Sequence, residues 1–171
     1  MFVLGIDPGL SRCGYAVLEP AGRGKARARA LGVIRTAASA PIPERLAELQ
    51  ADVQSLLDEY RPTVVAVERI FFQNNVRTAV GVAQASGLVL AEAAGRRMTV
   101  AEYTPSAVKS VVTGDGRAEK HQVQSMVQRL LDLPAPPRPA DAADAAALAL
   151  CHLAHDPLLR GTRTQIAGIT A

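Results

Sequence analysis

The chain has 171 residues, 49% of them hydrophobic, which suits one soluble domain able to bury a core of its own. No apolar run approaches the roughly 18 residues of a membrane span, and the N-terminus enters a strand without a basic signal-type region, so a cytoplasmic protein with no membrane partner is expected. The net charge of +3 permits a polyanionic partner without establishing one, and Cys13 and Cys151, which lack CxxC or Cys/His spacing, indicate neither zinc nor a disulfide framework.

Three extended segments open the chain, at 2–7, about 13–19 after the turn PGLS, and near 27–36 after a glycine-containing turn, which predicts an antiparallel meander. Arg23, Lys25, Arg27 and Arg29 alternate with period two through the third, as on a solvated edge strand protected from aggregation. Pro43 opens a helix whose stripe is Leu46, Leu49, Val53, Leu56, Leu57 and Tyr60, and Pro62 lies just past its end. A buried strand at 63–68 precedes the loop FFQNN and a long helix reaching about Gly95. A strand at 98–103 and helices near 105–112 and 118–131 follow, around the loop TGDGR. LPAPPRPA is a rigid stop, and the last helix spans about 140–155. Residues 1–158 are expected to form the domain and 159–171 a flexible tail.

Four acids stand out by their setting. Asp7 ends FVLGID and Glu68 ends TVVAVE, both short β-branched runs that read as strands buried on both faces. Ligands gather at the carboxyl ends of such strands in open sheets that carry helices. Asp141 and Asp144, three apart, share one face of the last helix, whose alanines allow close approach to the sheet. A charge at the buried end of a strand is costly unless paired, hydrogen-bonded or metal-bound. Each acid alone reads as a cap or a surface charge; four in matching contexts read as ligands for a hard metal ion.

The basic residues are biased: of 19, only Lys25, Lys109 and Lys120 are lysines, and two of these fall in SAVKSVVTGDGRAEKHQ. Lysine meets a phosphate as a mobile point charge, whereas arginine favours a planar two-pronged contact. Lys109 and Lys120 read either as phosphate contacts or as solvated helix-face charges. Phe71 and Phe72 follow Glu68 in a polar loop, where an exposed aromatic can stack on an unpaired base and contribute about 1–3 kcal/mol. Phe72 reads better as core under the following helix.

A meander followed by alternating helices and strands, with acids at the ends of the first and fourth strands and on the last helix, resembles the ribonuclease H-like fold. That is an α/β architecture with a mixed five-stranded sheet, three strands antiparallel and then two parallel, flanked by helices. GIDPGLSRCGYAV, VAVERIFFQNN, VKSVVTGDGRAEKHQVQSMV and LPAPPRPADAADAAALAL together resemble the RuvC family of Holliday-junction resolvases, in order and spacing, up to about His155. The resemblance implies a crossover junction endodeoxyribonuclease that cuts four-way DNA junctions in recombination and repair, leaving 5′-phosphate and 3′-hydroxyl ends. It implies that Asp7, Glu68, Asp141 and Asp144 hold two magnesium ions, with manganese a substitute. It also implies that Phe71 enters the junction, that Asn74, Asn75, Arg77, Lys109 and Lys120 lie at the DNA, and that the RuvA and RuvB branch-migration proteins are partners.

Independent chemistry points the same way. Magnesium takes oxygen ligands and keeps several waters, and two ions about 3.5–4 Å apart can hold the attacking and leaving oxygens of a phosphodiester. Crowded carboxylates repel one another when metal is absent, which raises their pKa values. A junction has two strands to cut, so a two-fold homodimer is expected, with Ala79, Gly81, Ala83, Ala85 and Gly87 available for a partner helix or for close packing on the sheet. His152 lies about 16 Å along the helix from Asp141 and about 12 Å from Asp144, too far to share an ion, and reads as structural. His121 reads as a solvent-facing helix residue. Actin-like ATPases and sugar kinases share the DPG strand but need two such domains. The nearer alternative is a ribonuclease H-like nuclease acting on structured RNA; a non-catalytic binding module leaves four acids unexplained.

Overall fold

The computed structural model describes residues 1–22, 25–69 and 76–155, without the side chains of 76–78. Phe71, Phe72, Asn74, Asn75, Arg23 and the expected tail 159–171 lie outside the described residues, as does the side chain of Arg77. The strands are β1 (Val3–Asp7), β2 (Arg12–Pro20), β3 (Ala26–Arg35), β4 (Val64–Glu68) and β5 (Thr99–Tyr103). The helices are α1 (Ile42–Tyr60), α2 (Val76–Gly95), α3 (Pro105–Thr113), α4 (Lys120–Leu130) and α5 (Ala140–His155). The sheet order is β3-β2-β1-β4-β5, antiparallel across β3, β2 and β1 and parallel across β1, β4 and β5.

Central position explains the composition of β1 and β4. β1 is paired on both sides, and Val3, Leu4 and Ile6 are fully buried because their side chains enter cores on opposite faces. On one face Leu4, Ile6, Val65 and Val67 pack with Leu49, Val53 and Leu57 of α1 and Ala85, Val89 and Ala93 of α2. On the other, Val3, Ala16, Leu18 and Ala66 meet α5, backed by Val108 and Val112 of α3 and Val123 and Val127 of α4. Helix α5 is therefore apolar nearly all round between sheet and helices, with ten buried residues from Ala142 to Leu153. Of the small residues on α2, Ala85 belongs to the core, Gly81 meets Leu10, and Gly87 faces open space.

Glycines on the sheet let α5 descend onto it. A Cβ at Gly5 would overlap the Ala145 carbonyl oxygen and reach 3.0 Å from the Ala149 nitrogen; one at Gly14 would overlap the Asp141 carbonyl. The helix that carries two of the four acids thus rests on bare backbone of β1 and β2. β3 is an edge strand on which exposed Arg27 and Arg29 alternate with alanines, and Arg29 pairs with Glu19 at 3.0 Å.

Two boundaries differ from the sequence expectation for physical reasons. Helix α1 starts at Ile42, with Pro43 inside its first turn, where a missing N–H costs no hydrogen bond. Helix α4 starts at Lys120 rather than near 118, because Glu119 is its N-cap in a reciprocal capping box with Gln122.

Candidate active site

β1 and β4 run parallel and end side by side, which delivers Asp7 and Glu68 to one edge of the sheet. The first two turns of α5, resting on Gly14 and Gly5, bring Asp141 and Asp144 to the same edge. A cleft of about 330 Å³ opens there; Asp7, Glu68 and Asp144 line it, with Lys109 of α3 and Lys120 of α4 facing them. Its remaining wall is apolar: Pro105, Val108, Val123, Ala147 and Leu148.

Electrostatics ties the four acids together. Burial pushes the Asp7 carboxyl up to about 7, assisted by the charges of Asp144, Glu68 and Asp141 and opposed by Lys120. Burial also raises Glu68, with Asp144 adding to it and Lys120 and Lys109 opposing. Lys120 donates to Asp144, Nζ to Oδ2 at 2.6 Å, and this hydrogen bond raises the ammonium above its usual range. Arg12 Nε lies 3.7 Å from Asp141 Oδ2.

Asp144 and Asp141 are thus engaged with cations of the chain itself. Among the described residues, no three acidic, histidine or cysteine side chains converge closely enough to hold an ion in this arrangement. The donor set nonetheless suits a hard divalent cation. It consists of oxygen donors only, and burial, with the charges of its neighbours, pushes the Asp7 carboxyl up to about 7, a cost that a 2+ charge would remove.

His152 does not line the cleft; its Nδ1 lies 2.8 Å from the Tyr103 hydroxyl. His121 is exposed beside Glu119, at 3.3 Å. Both cysteines are buried, and burial pushes Cys13 up to about 12 and Cys151 to about 11, so neither is a ready thiolate.

Sequence reasoning missed Arg12, the apolar wall and one buried guanidinium. Arg45 of α1 donates from Nε to Thr36 Oγ1 at 3.0 Å and from Nη2 to Ser11 Oγ at 2.6 Å, while Thr36 Oγ1 donates to the Leu10 carbonyl at 2.5 Å. No carboxylate joins this network among the described residues; it clamps the turn that follows Asp7 to the start of α1. The signal was weak, since an arginine in the first turn of a helix usually reads as a surface residue. Arg45→Ala is expected to cost on the order of 1–3 kcal/mol, lowering the melting temperature by roughly 3–10 °C. A melt within 1 °C of wild type would show that the clamp carries no stability.

A mixed sheet in the order 3-2-1-4-5, with acids at the ends of its first and fourth strands and on its last helix, defines a ribonuclease H-like nuclease domain. The model of the family described as crossover junction endodeoxyribonuclease RuvC matches residues 3–152. The chain belongs to that family of nucleases. It is 54% identical over 157 residues to the crossover junction endodeoxyribonuclease RuvC of Streptomyces avermitilis, covering 92% of this chain and 89% of the relative. Its fold matches the structure of Thermus thermophilus RuvC with a TM-score of 0.82 at 40% identity, covering 89% of this chain and 93% of that one. It also matches T. thermophilus RuvC in complex with Holliday junction substrate, with a TM-score of 0.84 at 36% identity and 96% of each chain covered. Among the described residues no helix is long and apolar enough to cross a membrane.

Proposed function

We propose that this chain resolves four-way DNA junctions by two symmetric, magnesium-dependent phosphodiester hydrolyses, acting as a cytoplasmic homodimer in recombination and repair with RuvA and RuvB. The observation that carries the chemistry is a half-buried Asp7 surrounded by three carboxylates and faced by Lys109 and Lys120 across one cleft. The family relation and the named junction complex of a relative support the choice of substrate.

Asp7, Glu68, Asp141 and Asp144 would hold the ions, once Asp144 gives up Lys120 and Asp141 gives up Arg12. When bound, magnesium neutralises the phosphodiester and lowers the pKa of the attacking water. Water oxygen attacks phosphorus, the bond to the 3′-oxygen breaks, and that oxygen gains a proton, leaving a 3′-hydroxyl and a 5′-phosphate. Lys109 and Lys120 hold phosphate oxygens as point charges. The wall of Pro105, Val108, Val123 and Leu148 excludes water and strengthens these interactions. Phe71, Asn74, Asn75 and Arg77 are proposed to meet the DNA at the crossover, and residues 1–158 to be the nuclease unit.

Cleavage of a four-way junction, plain duplex and structured RNA by the same preparation in magnesium tests the reading. Paired nicks in the junction and at least tenfold slower cutting of the others are expected. Preferential cutting of the RNA would replace the substrate with structured RNA.

A further inference from the structure

Two surface arginines away from the cleft pair with acids: Arg29 lies 3.0 Å from Glu19 and Arg96 lies 2.9 Å from Asp58. Two others share one face at the cleft end of the sheet. Arg12 and Arg35 are direct cross-strand partners on β2 and β3, so their side chains project from the same face, with Cβ atoms about 4.5–5.5 Å apart. That face is the one α5 covers, since Gly14, two residues along β2, meets the Asp141 carbonyl. Arg12 reaches Asp141 only at 3.7 Å with its side chain 60% exposed. Arg35 is exposed and makes no ion pair or side-chain hydrogen bond among the described residues.

Like charges placed directly opposite on a sheet repel, and nothing described in the chain balances Arg35. A polyanion would. β3 lies two strands from β1, about 10 Å from the line of Asp7, within a few phosphates of a strand seated on the acids. Lys109 and Lys120 stand across the cleft from the other side, so cations flank the acids on both sides.

We propose that Arg12 and Arg35 form a phosphate-binding pair that holds the DNA backbone where it leaves the cleft over β2 and β3, Arg35 binding phosphate alone and Arg12 dividing itself between phosphate and Asp141. The inference rests on the nucleic-acid reading above and names a contact that the acids and lysines do not supply. Planar guanidinium groups side by side suit two-pronged contacts to phosphate oxygens, and such contacts carry no base information.

The test is the salt dependence of binding of the full chain to a labelled four-way junction and to a plain duplex, followed by fluorescence anisotropy in calcium. Losing one phosphate contact lowers the slope of log Kd against log salt by about 0.9 and weakens binding roughly eightfold at 0.1 M salt. Arg35→Ala should show that loss, Arg12→Ala/Arg35→Ala about twice the slope change, and Arg35→Lys should recover most of it. Arg35→Gln, which keeps most of the side chain, serves in place of Arg35→Ala should the latter melt early. An unchanged slope in a folded Arg35 variant of a junction-preferring protein overturns the pair alone. Slope loss without preference for junction over duplex keeps the pair and overturns the junction reading.

Discussion

Asp7→Asn is expected to abolish magnesium-dependent cutting of a four-way junction while leaving binding measurable in calcium, and to make the metal-free protein more stable at pH 8. Both effects come from one group. Asp7 is the most perturbed carboxyl in the cleft, pushed up to about 7 from a model-peptide value of 3.8 by burial and by three neighbouring acids. A folded value above the unfolded one means that the native state binds more protons between about pH 4 and 7. Stability therefore falls across that window and is lowest above it. At 1.36 kcal/mol per pKa unit the loss is roughly 4 kcal/mol, on the order of 10 °C in melting temperature. Asparagine keeps the size of the side chain and cannot ionise. In EDTA the two proteins should melt together near pH 4, and the variant should melt higher by pH 8. Magnesium should then raise the melting temperature of the wild type more than that of Asp7→Asn. Retained cutting would remove Asp7 from the chemistry, and parallel stability curves from pH 4 to 8 would remove its strain.

That strain also explains the two ion pairs in the cleft. Asp144 pairs with Lys120 and Asp141 approaches Arg12, so the chain supplies its own cations to crowded carboxylates. Under the proposed mechanism, the lysine that balances Asp144 would turn to a phosphate once an ion sat at the acids. Its salt bridge, only partly buried, is weak enough to break.

What could be read in the sequence was whatever local pattern determines. β1 and β4 announce themselves because a strand buried on both faces must be apolar at consecutive positions. The stripe Leu49, Val53, Leu57 on α1 is visible because one face of a helix repeats nearly every four residues. The acids stood out for the same reason: Asp7 and Glu68 interrupt apolar runs where strands end, and Asp141 and Asp144 are the only charges in a run of small and apolar residues. What stayed hidden depends on distant partners. Arg35 gains meaning only from its register opposite Arg12, and Arg45 only from Thr36 and Ser11. Glu119 was missed as an N-cap because serine, threonine, aspartate and asparagine are the usual caps. Gly5, inside a strand, reads as a weakness until the helix lying on it is known.

Gly5→Val is expected to unfold the domain or destabilise it by about 3 kcal/mol or more, because the added side chain would meet backbone that cannot rotate away. Its Cβ alone would overlap the Ala145 carbonyl and reach 3.0 Å from the Ala149 nitrogen, so helix α5 must lift as a body. Lifting α5 opens the core around Leu148 and Val3 and moves Asp144 away from Asp7, so stability and cleavage should fall together. Gly5→Ala should show the same direction to a smaller degree, since its methyl meets the same backbone. Gly87→Ala is the counterpart: on α2, with nothing within 4 Å of its added methyl, it should be neutral or stabilise by up to about 1 kcal/mol through helix propensity alone. Thermal melts and junction cleavage on the three variants separate the cases. A Gly5→Ala protein with wild-type melt and wild-type cutting would show that α5 does not rest on β1 as tightly as the backbone contact requires.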